Sequence, residues 1–303
     1  FKHLGGVEID PKVADIYKTN HNPKHFYIED LRLFNKRENL PEELYNLDLL
    51  DGSPPCSSFS MAGSREKGWG KNKKFREGQT KQVLDDLVYV YIDTIAKLKP
   101  KVAILENVKG LIQGNAKSYA KKIKSKFENL GYRVQVFLLN AASMGVPQRR
   151  ERVFFIGLRN DIKLPILKFS FNERSILFGE IARQTKHEQH KKLTKAFYNL
   201  WIKIKEGRPL SDADPNGNRF SSWKLSMGKC MPTLTSTAGT CNHYSRSDMP
   251  YYTNENEWRM CGTYPMDYLC KDLDIKYLIG MSVPPVMTAQ ISHQIYLQWL
   301  SKI

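Results

Sequence analysis

Apolar residues along the first half of the chain fall into short runs separated by stretches with helical spacing. Gly6-Val7-Glu8-Ile9 reads as a strand with an acid near its end. Asp10 then stands where a helix N-cap belongs and Pro11 at the first helical position, ahead of Val13, Ile16 and Tyr17. Leu47 to Asp51 is a second strand; it runs into Gly52-Ser53-Pro54-Pro55-Cys56, where the prolines end ladder pairing. Leu84, Leu87, Val88, Tyr91, Ile95 and Leu98 recur at helical spacing until Pro100. Val102 to Leu105 then forms a buried strand leading into Glu106-Asn107. Tyr119, Ile123, Phe127 and Leu130 mark a helix closed by Gly131; Val134, Val136 and Leu138 alternate as a strand, and Val153 to Leu158 forms another. Strands alternating with helices predict an α/β domain built on a largely parallel sheet. Ligands of such sheets bind outside the carboxyl ends of the strands, where Glu8, Cys56 and Glu106 are expected to fall.

From about Pro165 the pattern weakens. His187, His190, a basic stretch from Lys191 to Lys195 and a Gly-, Pro-, Asn- and Ser-rich run from Gly207 to Ser222 predict a smaller, more irregular region. Pro284 and Pro285 precede a last helix with Met287, Ile291, Ile295 and Trp299 on one face, so the chain is expected to return to its first domain. The expected division is a first domain of residues 1–166 completed by 279–303, and a second of 167–278.

With 41% hydrophobic and 11% aromatic residues in 303 positions, the chain can bury a full core, which excludes disorder as its main state. Lys and Arg outnumber Asp and Glu by 47 to 31, a net charge of +16, which favours a polyanionic partner and nucleic acid above others. No apolar run approaches the ~18 residues of a membrane span, and the first residues lack signal-peptide anatomy, so a cytoplasmic protein is expected. The five cysteines have no C-x-x-C spacing, which suggests neither a disulfide framework nor a zinc site.

The Pro-Pro-Cys turn would expose the Cys56 thiol at a sheet edge, as a nucleophile requires, although a cysteine taken alone is more often a small buried apolar group. Its company is what matters. Glu106, at the end of another strand, offers a carboxyl for general acid chemistry. Gln148-Arg149-Arg150-Glu151-Arg152 supplies three guanidinium groups before the next strand. Alternate residues of an extended segment share a side, so Arg150 and Arg152 are expected to face the crevice together.

Five segments in order, Gly52 to Ser60 (GSPPCSSFS), Glu106-Asn107-Val108, Gln148 to Arg152 (QRRER), Pro232 to Thr235 (PTLT) and Gly280 to Pro285 (GMSVPP), closely resemble the motifs of the DNA cytosine-5 methyltransferases. The resemblance implies a doubly wound, mixed-sheet, Rossmann-like fold dependent on S-adenosylmethionine, with the irregular region as target-recognition domain. It implies a nucleophile at Cys56, a base-contacting acid at Glu106, a base-holding Arg152 and a supporting or phosphate-contacting Arg150. Glu8 would bind the cofactor ribose, with Ile9 and Asp30 at the adenine and Pro54 and Ser282 lining the cofactor pocket. The segment from Met61 to Gln79 corresponds to the loop that closes over a flipped base. Double-stranded DNA is the implied substrate, with a monomeric enzyme and a role in restriction–modification. A tRNA cytosine-5 methyltransferase shares these motifs but carries a Cys-Phe-Thr signature that this chain lacks; a silent DNA-binding relative is the other alternative. Two departures stand out. The family's Phe-x-Gly-x-Gly cofactor loop would precede Phe1, so the chain is expected to be a fragment, and Met281 stands where the family usually has Asn.

Overall fold

The structure is a computed structural model, and it describes residues 1–55, 86–185, 190–236 and 244–303. Cys56, the segment from Met61 to Gln79, Leu84, His187 and Cys241 lie outside the described residues. The chain divides into two compact units, the first made of 1–139, 151–168 and 298–303, the second of 140–150 and 169–297.

The first unit opens with β1 (Gly5–Glu8), α1 (Pro11–His21) and β2 (His25–Ile28), then α2 (Leu31–Lys36) and β3 (Leu49–Gly52). As the sequence predicts, Asp10 caps α1, its Oδ1 accepting from the Lys12 and Val13 amides, and Pro11 fills the first turn, where an amide would have no partner. After α3 (Leu87–Leu98) come β4 (Val102–Val108), α4 (Lys117–Asn129), β5 (Tyr132–Asn140) and β6 (Glu151–Arg159). Among the described residues the strands form two hydrogen-bonded pieces: β1 pairs with β2 in parallel, and β3, β4, β6 and β5 lie in that order. β3 runs parallel to β4 and β4 antiparallel to β6, so the sheet is mixed. Its core joins Val88, Tyr91 and Ile95 of α3 to Leu105, Phe155 and the α4 side chains Ile123 and Phe127. Gly52 is required here, because a Cβ at that position would lie 2.4 Å from the Tyr91 ring.

β4 extends three residues beyond the strand expected to end at Leu105. Antiparallel pairing with β6 carries it on to Val108, opposite Arg152.

The second unit is built of short elements: α5 (Phe178–Ala182), α6 (Lys195–Trp201), β7 (Arg208–Pro209), β8 (Trp223–Lys224), β9 (Tyr244–Ser245), α7 (Glu255–Gly262) and α8 (Ile275–Met281), followed by α9 (Pro285–Gln298). Phe178, Leu225, Met231, Leu234, Tyr244, Trp258 and Ile279 form its main core. Beneath it Arg246 donates to Glu257, which also completes the capping box of α7, and His190 lies 3.1 Å from the same carboxylate.

The boundaries differ from those expected at 166/167 and 278/279. Residues 140–150 and 279–297 pack with the second unit, held there by hydrogen bonds from Arg150 to the Leu234 and Gly280 carbonyls. Only the end of the chain rejoins the first: Trp299 is 1% exposed and donates its indole N–H to the Pro165 carbonyl. Among the described residues no helix is long and apolar enough to cross a membrane.

Candidate active site

In the first unit two of the five motifs are tied to a third. Glu106 of β4 lies opposite Phe154 and Val108 opposite Arg152, so Glu106 and Arg152 are diagonal neighbours on one face of the ladder. That separation suits a long side chain. The Arg152 Nε is 3.0 Å from the Glu106 Oε1, and both side chains are mostly shielded, at 14% and 13% exposure. Arg152 also donates from Nη1 to the Glu151 carbonyl. Burial pushes its pKa down and the Glu106 carboxylate opposes that effect. Beside this pair Lys109 is 2.8 Å from Glu151. Asn107, the residue between Glu106 and Val108, turns its Nδ2 to the Pro54 carbonyl at 3.1 Å and so anchors the proline turn two residues before Cys56. Sequence reasoning quoted Asn107 within its motif without giving it a task; a buried amide at the end of a strand beside a proline turn was the available signal.

The cofactor residues expected at the end of β1 are brought together. Glu8 pairs with Ile28 in register, and the Glu29 amide donates to the Glu8 carbonyl, so Glu8, Ile9 and Asp30 share the carboxyl edge of the parallel pair. The Glu8 carboxylate accepts from the Asp10 amide at 2.8 Å, yet burial pushes its pKa up. Beside it the Asp10 Oδ2 is buried without a partner among the described residues. One buried carboxylate oxygen in want of a donor, beside the Glu8 carboxylate, fits a ligand that presents vicinal hydroxyls, as the ribose of S-adenosylmethionine does. Asp30 is more fully engaged: it caps α2, and its carboxylate holds the Arg32 guanidinium at 3.0 Å.

Arg150 and Ser282 sit in the second unit. Arg150 is 1% exposed; Nη1 donates to the Leu234 carbonyl at 2.7 Å and Nη2 to the Gly280 carbonyl at 2.9 Å. Gln148 joins them, accepting from the Leu234 amide and donating to the Cys261 carbonyl. The Gln148–Arg150, Pro232–Thr235 and Gly280–Pro285 segments thus form one node. A Cβ on Gly280 would lie 2.3 Å from the Ser236 amide nitrogen, which accounts for the glycine there. The expectation that Arg150 and Arg152 face one crevice is corrected. β6 begins at Glu151, so alternation does not reach back to Arg150, and a guanidinium committed to two buried carbonyls is not open to a phosphate. The Ser282 hydroxyl accepts from Tyr264 at 2.9 Å, and Met281 is 45% exposed at the end of α8.

Burial also decides among the thiols. Cys230 is pushed up to about 11, Cys261 is raised well above the ordinary thiol range, and Cys270 is raised too. None of these three is prepared as a thiolate nucleophile.

Glu8 supports a prediction with two opposed readouts. Its folded-state pKa lies above the ordinary carboxylate value, so its favourable contribution to stability is complete in acid and is lost as pH rises through the folded pKa. Glu8→Gln is therefore expected to raise the melting temperature near pH ~7, with the difference vanishing towards pH ~4. It should weaken binding of S-adenosylmethionine roughly tenfold to a hundredfold, measured by calorimetry, because a charged acceptor is lost.

The family description "C-5 cytosine-specific DNA methylase" matches residues 1–296. Among curated relatives, the type II methyltransferase M.FnuDI of Fusobacterium nucleatum is 35% identical over 171 residues, covering 56% of this chain and 44% of the relative. The type II methyltransferase M.Bsp6I of Bacillus sp. (strain RFL6) is 27% identical over 310 residues, covering 98% of this chain and 91% of that one. The match thus spans less than half of M.FnuDI and nearly all of M.Bsp6I. Among solved structures, a DNMT2 mutant from Spodoptera frugiperda superposes with a TM-score of 0.66 at 16% identity, covering 97% of this chain and 92% of that one. The Dnmt2 methyltransferase of S. pombe gives 0.63 at 15% identity, with coverages of 99% and 92%. At such identities these structures establish the likeness of fold alone.

Proposed function

The chain belongs to the C-5 cytosine-specific DNA methylase family, and on that premise we propose that it methylates C5 of a cytosine flipped out of a specific duplex DNA sequence. The observation that carries this reading is the shielded pair between Arg152 of β6 and Glu106 of β4, the strand whose Asn107 anchors the turn before Cys56.

Cytosine C5 is too weak a nucleophile to take a methyl group directly, so the base must be activated from the enzyme. The Cys56 thiolate adds to C6, and the C5–C6 π electrons move toward C5 while Glu106 delivers a proton to N3. Arg152 holds Glu106 and the base in one plane. S-adenosylmethionine supplies an electrophilic methyl group on a sulfonium. Once C5 carries the methyl group, loss of its hydrogen as a proton to solvent restores the C5–C6 double bond and expels the Cys56 thiolate, and N3 returns its proton to Glu106. Attack on C6 requires the base to leave the stack, which the enzyme achieves by flipping it. Glu8 and Ile9 would hold the ribose and adenine of the cofactor, with Asp30 at the adenine amine and Pro54 at the pocket wall. Residues 167–278 would supply the sequence readout, and the net charge of +16 supports sequence-independent attraction to the DNA backbone. As in the type II relatives, the methylation would serve the modification half of a restriction system, with the enzyme acting as a cytoplasmic monomer.

The test incubates the protein and its Cys56→Ser variant with tritiated S-adenosylmethionine and either long unmethylated duplex DNA or bulk tRNA. Label in DNA that is lost with Cys56→Ser, at positions that bisulfite sequencing places in one short motif, is expected. Label confined to tRNA would transfer the reading to the RNA-modifying branch, and binding without label would make the chain a silent relative.

A further inference from the structure

Arg149 is the one guanidinium of the Gln148–Arg152 segment that the site above does not employ. Its backbone is fixed: the amide donates to the Met231 carbonyl at 2.8 Å and the carbonyl accepts from the Thr233 hydroxyl at 2.6 Å. Its side chain is exposed and forms no ion pair among the described residues, whereas Arg150 is buried and Arg152 is held by Glu106. Arg149 lines a small cavity of the second unit together with Lys229, Trp223, Gly207 and Cys230. The Lys229 ammonium lies over Gly207, 3.5 Å from where a Cβ would stand, and this glycine has a φ of 73° that disfavours any other residue. Lys229 likewise has no carboxylate partner among the described residues. Glu206, which precedes Gly207, accepts from the Ser226 and Ser247 hydroxyls. The cavity's thiol contributes no charge, since burial holds Cys230 up to about 11. Two unpaired cations on a braced backbone, beside a cavity too small for more than a water, fit a single phosphodiester group at the surface.

We infer that Arg149 and Lys229 together bind one backbone phosphate of the DNA. They would fix where the duplex lies on the second unit without reading its sequence. The inference rests on the function proposed above. Its test measures binding of a fluorescent duplex across a potassium chloride series for the wild type, Arg149→Ala, Lys229→Ala and the double variant. The double variant is expected to bind roughly tenfold more weakly at low salt, and the slope of log K against log salt should fall by about 0.9, the signature of one lost phosphate contact. Arg149→Lys should keep the slope, and melting temperatures should not move, because both side chains are exposed. Binding that weakens equally on every duplex sequence supports a phosphate contact. An unchanged slope in the double variant overturns the inference while leaving the methylase reading intact, as does a loss confined to one sequence, which would mean a base contact. A wild type that binds no duplex DNA would overturn the functional reading first and this inference with it.

Discussion

Arg152→Ala is expected to cut methyl transfer by about two to four orders of magnitude, the usual loss when a general acid is no longer held in place. The variant leaves Glu106 shielded and without its 3.0 Å partner, so a stability loss of about 1–3 kcal/mol accompanies it. Two controls separate catalysis from folding. Arg152→Lys keeps a charge without the planar fork and should recover stability more than rate. Glu106→Gln keeps the shape, removes the proton donor and should lose rate with little change in cofactor binding. In both, the loss should appear in kcat more than in KM. Equal kcat for wild type and Arg152→Ala would contradict the pair's part in the reaction.

Arg150→Met is expected to have the largest effect on stability of any single change proposed. The Leu234 and Gly280 carbonyls are buried, and removing the guanidinium leaves both without that donor. Loss of a fully buried charged donor costs about 3 kcal/mol or more, which for a unit of this size lowers the melting temperature by roughly 10 °C. Arg150→Lys should rescue little, since one ammonium cannot reproduce two divergent N–H groups. The activity of Arg150→Met should track its folded fraction as temperature is lowered. A variant with unchanged melting temperature and weakened DNA binding would return Arg150 to the phosphate-contacting role the sequence first suggested.

The parts of the molecule that local rules govern were legible from the chain alone. Asp10 and Pro11 announce a helix start by their chemistry, the Leu87–Leu98 helix by its spacing and its stop before Pro100, and the four-residue apolar run at Val102 by its length. Glu8 could be placed at a strand end because the acid stands directly before a capped helix. What could not be read was set by long-range pairing. Whether Glu106 meets Arg152 depends on the β4–β6 register, which joins residues far apart in the chain, and the same pairing extends β4 past its expected end. Arg150 escapes the alternation because the strand begins one residue after it, at Glu151. Its neighbours at Leu234 and Gly280 come from segments more than eighty residues away, and no periodicity reports them. The expected boundary at 278/279 fails for the same reason: nearly all of the last helix groups with the second unit, leaving Gln298 to Ile303 to the first.

The central claim is a covalent bond between Cys56 and C6 of cytosine, and it is tested most directly with duplex DNA carrying 5-fluorocytosine at the methylated position. Fluorine at C5 cannot leave as a proton would, so the adduct persists once the methyl group has been transferred. Intact-mass analysis after incubation with S-adenosylmethionine should show protein plus one DNA strand plus one methyl group. Peptide mapping should place the link on Cys56, and no adduct should form with Cys56→Ser. A wild-type protein that methylates ordinary DNA yet leaves the fluorinated duplex unattached, or an adduct that survives in Cys56→Ser, would contradict the account.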